Sequence, residues 1–133
     1  MALRKLVRDV MVRDIVTISP FSTLREALLM MRDRNVKSLV VDRHDSHDAF
    51  GLLTYTHILK TIIAEEGDID LVNVYDVCAK PALSVHPDLA TRHAAHMMHG
   101  HNVKRLLVTE NNQAVGIITT NDLVRDVLRL IEQ

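Results

Sequence analysis

The chain has 133 residues, enough for one compact domain, and 47% of them are apolar against 25% charged, the balance of an ordinary globular protein. Sixteen basic and seventeen acidic residues leave a formal charge of −1, so a general nucleic-acid-binding role has no electrostatic support, and no apolar run approaches the roughly 18 residues of a membrane span. Aromatics are 3% with no Trp, so the core has to be built from Leu, Val, Ile, Met and Ala, and the lone Cys78 excludes an intramolecular disulfide.

Taken in chain order, Met1-Ala2-Leu3-Arg4-Lys5 leads into Leu6-Val7-Arg8-Asp9. Charges interrupt this opening, so it lacks the apolar stretch of a signal peptide, and the cytoplasm is the default compartment. A short helical turn is predicted over 7–11 and a short strand over 15–18, which Pro20 stops. A helix follows. Ser22 or Thr23 can cap it, with Glu26 as capping-box partner to Thr23, and Leu24, Ala27, Leu28 and Met31 form its apolar stripe. Strands are predicted over 38–42 and 50–54, then a closing helix over 55–65 that Gly67 ends. Residues 68–73 are a link. The same series then recurs: a helical turn over 74–78, a strand over 82–85, Pro87, and a helix with Asp88 as cap and Ala90, Ala94, Met97 and Met98 as its stripe. Strands over 105–109 and 114–119 are joined by Glu110-Asn111-Asn112-Gln113, a good turn sequence, and a helix over 121–131 closes the chain. Continuous runs such as Leu39-Val40-Val41 suggest strands covered on both faces.

The recurrence is visible residue by residue. Pro20 matches Pro87 and Asn35-Val36-Lys37 matches Asn102-Val103-Lys104, both at an offset of 67. Gly51-Leu52-Leu53-Thr54 matches Gly116-Ile117-Ile118-Thr119 at an offset of 65, so the first copy carries a two-residue insertion. The pattern is β-α-β-β-α, twice, a mixed α/β (α+β) fold. One copy this small cannot bury its own apolar side, so two copies are expected to pack face to face with pseudo-twofold symmetry and to leave clefts between them.

These pieces resemble the CBS domain pair, or Bateman module. They are the strand-Pro-helix opening, the Asn-Val-Lys strand start, and the ending Gly116-Ile117-Ile118-Thr119-Thr120-Asn121-Asp122-Leu123. The resemblance covers nearly the whole chain and implies a single module over 1–133, with CBS repeats at 7–66 and 74–132. It implies a regulatory, non-catalytic module that binds an adenosine-containing ligand, AMP, ADP or ATP, in the inter-repeat cleft. It also implies a flat homodimer and, as this sequence holds no effector domain, a separate effector protein.

Within that resemblance Asp122 is the first candidate, because a carboxylate at a strand-to-helix corner can accept from both hydroxyls of a ribose. Thr119 can add a hydroxyl contact. The alternative role for Asp122 is to complement the positive end of its own helix, and Thr119 or Asn121 could equally be that helix's cap. The first copy departs from the motif, with His57 where Asp122 stands. An imidazole cannot accept two hydrogen bonds from a diol, so one competent site and one altered or empty site are expected; His57 could meet a phosphate when protonated, but a solvated helix-start His is the preferred reading. Lys37, Lys104 and Arg105 start the second strand of each copy and would neutralise phosphates, or else are ordinary solvated strand-end charges; Ser38 replaces the Arg in the first copy. The resemblance gives adenine to the backbone of Leu83, Ser84 and Val85, with Val103 and Ile118 as walls, and in the first copy to Val16, Thr17 and Ile18.

His86, His93, His96, His99 and His101 crowd one stretch. A metal site would need about four converging ligands, and no Cys or carboxylate completes the set locally; a partly exposed helix face is the expectation. No nucleophile-base pair, Walker A motif or catalytic carboxylate pair is present, so an enzyme is not expected. Two other roles stay open: an interaction scaffold that has lost its ligand, for which His57 and Ser38 speak, and a His-based metal sensor. Leu29, Val124 and Leu128, at exposed helix positions, make a monomer doubtful.

Overall fold

The computed structural model describes residues 6–132; the opening residues 1–5, part of the leader reading, lie outside the described residues. In chain order the elements are α1 (Val7–Val10), β1 (Thr17–Ile18), α2 (Leu24–Arg34), β2 (Ser38–Val41), β3 (Gly51–Thr54), α3 (Tyr55–Leu59), β4 (Ser84–Val85), α4 (Thr91–Gly100), β5 (Arg105–Glu110), β6 (Gln113–Thr119) and α5 (Thr120–Ile131). A π-helical turn, Lys60–Ala64, extends α3, and a 3₁₀ turn, Val74–Asp76, precedes β4. The β-α-β-β-α order occurs twice. Each copy makes a three-stranded sheet, β1-β2-β3 or β4-β5-β6, parallel at the first pairing and antiparallel at the second. The opening strands are two residues long, shorter than the expected 15–18 and 82–85. No described helix is long and apolar enough to cross a membrane.

The chain divides into two compact units, and the boundaries are not those of the sequence repeats. One unit is Val16–Ala82; the other joins the residues up to Ile15 to those from Leu83 onward. The helical turn at the start of each repeat therefore sits outside the body that follows it. α1 belongs with the second-repeat sheet, and the 3₁₀ turn with the first.

In the first-repeat unit the Thr23 hydroxyl caps α2 by accepting from the Glu26 amide at 3.2 Å. The Glu26 carboxylate accepts a hydrogen bond from the Thr23 hydroxyl at 3.3 Å, so the cap is local to that pair. Leu24, Ala27 and Met31 are buried on Leu39, Val41 and Leu53. Asn35 stops the helix in the left-handed region (φ 53°), and Asn102 does the same after α4 (φ 52°). This explains the repeated Asn of the Asn-Val-Lys motif, since Asn tolerates that backbone better than other side-chain-bearing residues. The closing helix is not one α-helix over 55–65. After Leu59 it widens, with the Glu65 amide reaching the Lys60 carbonyl five residues back. Glu66, not Gly67, turns the chain through the left-handed region (φ 56°). Gly67 is needed for proximity instead, because a Cβ there would lie 3.0 Å from the Thr61 carbonyl oxygen. In the longer β2–β3 connection of the first copy, Asp48 accepts from the His44 and Ala49 amides and from Lys80 at 2.6 Å, and these bonds bring its carboxyl down to about 2.

In the second-repeat unit Val85, Ala94, Met98, Leu106, Val108 and Ile118 form the core, which Val7 and Met11 of the opening segment complete. Asn111 and Asn112 both have positive φ (52° and 60°), the two-residue hairpin geometry that suits strand twist. Asp88 is not the cap of α4. The helix starts after Ala90 without a side-chain cap, and the Asp88 carboxylate is instead bound to the Arg8 guanidinium.

Candidate functional site

The β6–α5 corner of the second-repeat unit holds a reciprocal cap between Thr119 and Asp122. Thr119 ends β6 and caps α5, its hydroxyl accepting from the Asp122 amide at 3.1 Å. Asp122 answers by accepting from the Thr119 amide at 2.9 Å through Oδ2. Its other oxygen lies 3.4 Å from the Arg125 guanidinium. Asp122 is 5% exposed, and buried carboxylates are rare unless held in this way. The helix-end role is therefore real and uses Oδ2, while Oδ1 accepts the longer bond from Arg125. An ionised carboxylate has about four acceptor positions, so Oδ1 retains capacity for a further donor. A cavity of about 300 Å³ runs along α5, lined by Asp122, Arg125, Asp126, Leu128, Arg129 and Glu132 and by Val10 of α1; of the candidate ligand residues only Asp122 lines it. Asp126 is likewise buried, and its Oδ1 accepts from Arg129 at 3.1 Å.

Strand direction gathers the other second-copy candidates at the same end of the sheet. β4 and β5 are parallel and β6 runs against them, so the starts of β4 and β5 lie beside the end of β6. Arg105 pairs directly with Thr119, and the Thr120 amide donates to the Lys104 carbonyl at 3.0 Å. The Leu83 carbonyl accepts from Leu107. Leu83, Ser84, Lys104 and Arg105 are wholly or partly exposed there, as is Val103. Lys104 and Arg105 have no carboxylate partner among the described residues. The side chains of Val85 and Ile118 go the other way, into the core. Ile118 is thus a core residue and not a pocket wall, and at Val85 only the backbone remains on offer.

The first-repeat unit repeats the arrangement with weaker chemistry. Ser38 pairs with Thr54, and Lys37 precedes it, exposed. Thr17 is exposed while Val16 and Ile18 are buried. His57 takes the structural part of Asp122: its Nδ1 accepts from the Thr54 amide at 3.1 Å. That bond needs an unprotonated Nδ1. Burial, and secondarily Lys60, holds the imidazole pKa below its ordinary 6.5. His57 is thus a half-buried helix-end acceptor through Nδ1 and not simply a solvated helix-start side chain.

A pH dependence follows. The folded ring binds its proton more weakly than the unfolded one, so His57 leaves stability intact above pH 6.5 and erodes it as pH falls from there towards the lower folded pKa. Thermal melts of the parent and His57→Gln between about pH 7.5 and about pH 5 should show a shallower acid decline in the variant. Equal slopes would remove His57 from that role.

His93, His96, His99 and His101 are exposed on or just beyond α4, and no three His, Cys, Asp or Glu side chains converge on a metal position among the described residues. His86 is engaged locally, its Nδ1 accepting from the Asp88 amide at 3.0 Å. The sequence reading missed Arg125, Asp126 and Val10 as neighbours of Asp122. The i, i+3 and i+4 spacing on α5 signals the first two; nothing in local sequence signals Val10.

The CBS domain profile matches the chain twice, at residues 7–64 and 74–129. The chain belongs to the CBS domain family. A protein of Methanopyrus kandleri is 26% identical over 120 residues, covering 90% of this chain and 61% of its own length, so this chain spans less than two thirds of that relative. The hexameric CBS-CP12 protein from bloom-forming cyanobacteria superposes with a TM-score of 0.86 at 25% identity, over 93% of this chain and 68% of that one. A CBS domain pair solved in complex with 5′-methylthioadenosine and S-adenosyl-L-methionine gives a TM-score of 0.80 at 22% identity, with 99% and 100% coverage. The CBS pair is a module of regulatory type, and both repeats of it are present here.

Proposed function

We propose that this CBS pair is a regulatory sensor of an adenosine-containing ligand of the AMP, ADP or ATP class, held at the β6–α5 corner of the second repeat. The observation that carries the proposal is the Asp122 carboxylate, which the Thr119 amide fixes through Oδ2 and Arg125 meets through Oδ1, and which lines the cavity along α5. It accepts the ribose hydroxyls, with Thr119 beside it. Lys104 and Arg105 meet the phosphates, and Leu83, Ser84, Val85 and Val103 meet the base, the first and third through their backbone. The first-repeat set, Lys37, Thr17, Ile18 and His57, lacks a carboxylate and is the altered site. Binding of adenosine compounds by a CBS pair of the same fold is consistent with this assignment.

The module acts on a separate effector protein and as a homodimer in the cytoplasm. Dimerisation is supported by apolar side chains left in solvent on both closing helices: Val124, Val127, Leu128 and Ile131 on α5, and Tyr55, Leu59 and Ile63 on α3 and its extension. Ile131 is 72% exposed and Ile63 69%, whereas the acidic side of α5 is turned inward.

Thermal melts with AMP, ADP, ATP, NAD and S-adenosylmethionine test the reading. A ligand at a hundred times its dissociation constant should stabilise the parent by about 2.7 kcal/mol. Asp122→Ala should abolish that rise, whatever its own baseline. A rise that persists in the variant sinks the ribose role. Silence from every adenosine compound in the parent favours the ligand-free interaction scaffold, the reading that His57 and Ser38 support.

A further inference from the structure

Each unit holds its foreign segment by the same set of backbone bonds. In the second-repeat unit the Val7 amide donates to the Leu89 carbonyl (2.9 Å) and the Arg8 amide to the Pro87 carbonyl (2.8 Å), while Val12 and Ile117 exchange a pair of bonds at 2.9 Å. In the first-repeat unit Val74 donates to Ser22 (2.8 Å) and Tyr75 to Pro20 (3.0 Å), while Ala79 and Leu52 exchange a pair at 2.9 and 3.0 Å. Every matched position is related by a repeat offset, 67 for all but Leu52 and Ile117, which differ by 65. Val7 and Val74 are both fully buried. The segments share Val-x-Asp-Val, at 7–10 and 74–77. Backbone and anchor are therefore blind to which segment lies in which groove.

The side chain at x is not. Arg8 grips Asp88, with Nε at 2.6 Å, and His86 and Glu110 stand around that carboxylate, His86 at 3.8 Å from Asp88 and 3.9 Å from Glu110. At the matching place Tyr75 meets Phe21 edge-on, ring centres 6.0 Å apart, and Phe21 in turn meets His44 at 5.1 Å. Asp88 and Phe21 each follow the repeated Pro. We propose that these two contacts are selectivity keys. The second-repeat groove recognises a Val-basic-Asp-Val segment by charge, the first-repeat groove recognises a Val-aromatic-Asp-Val segment by ring contact, and each thereby accepts its own segment of this chain. Crossed, Asp88 would lose its cation and face a phenol, and Arg8 would keep at most a cation–π contact with Phe21. The inference stands apart from the ligand reading, because it concerns groups that the proposed ligand does not touch.

Amide hydrogen exchange on the full chain tests it with an internal control. Raising NaCl to about 1 M screens an exposed ion pair and leaves a ring contact alone. Exchange at Val12 and Ile117 should then accelerate relative to Ala79 and Leu52; equal responses overturn the proposal. Arg8→Tyr and Asp88→Phe, singly, should each speed exchange at Val12 and Ile117 by about threefold, the scale of an exposed pair. Combined, they install the aromatic contact, so protection should return and the salt response should vanish. A double variant that merely sums the two losses, or singles with no effect, overturns it as well.

Discussion

Gly116→Ala is expected to lower stability by about 1–3 kcal/mol, the scale of a forced misfit in a packed interior. A Cβ on Gly116 would stand 2.8 Å from the Val12 carbonyl oxygen and 3.0 Å from the Met11 sulfur. The sulfur can swing aside. The carbonyl cannot, because it accepts from the Ile117 amide and fixes the segment to β6. The segment must lift or the strand must bend, and either loosens Val7 and Met11 from the core. Gly100→Ala is the control: a Cβ there meets nothing within 4 Å, and the substitution should be neutral or stabilising. Denaturant midpoints at constant slope measure both. Indistinguishable midpoints would show that the close approach at Gly116 carries no constraint.

Leu106→Ala is expected to cost more, about 2–5 kcal/mol, as a fully buried leucine removed from a close-packed core. Leu106 shares its cluster with Val85, Met98 and Ile118 and with Val7 of the opening segment. The void should therefore be felt beyond the hairpin, at the amides of Val7 and Val12, which are distant in sequence. Chemical denaturation with residue-resolved exchange checks the size and the reach of the effect. A loss confined to β5 and β6, with Val7 and Val12 unmoved, would mean that the opening segment is not part of that core.

The repeated residues were legible because each serves the scaffold twice. Pro20 and Pro87 present carbonyls to an incoming amide, Asn35 and Asn102 end helices, Gly51 and Gly116 admit a second backbone, and Thr54 and Thr119 open the last helix of each copy. Sequence alone reads such positions well, since the requirement is local and stereochemical. The candidate chemistry is carried by residues that differ between copies, Asp122 against His57 and Arg105 against Ser38, and that asymmetry was also visible. What escaped was long-range. Asp88 has the right residue type for a cap, but a cation from the other end of the chain claims it. The groove neighbours of Asp122 include Val10 for the same reason, and the widened turn after Leu59 has no periodic signature. The exchange of opening segments could not be foreseen from either copy, because it is a property of the pair.

That exchange sets an order of events for a chain made from its N-terminus. The first-repeat unit becomes complete soon after residue 82 is made, since it is the single run Val16–Ala82. Residues 6–12 wait longer, because Pro87, Leu89 and Ile117 are made only after the first-repeat unit is complete. Until then Val7 and Met11 are sticky and unsheltered on a nascent polypeptide. A chaperone that shields residues 6–12, or a pause before residue 117 is made, would decide how much newborn protein reaches its mature form.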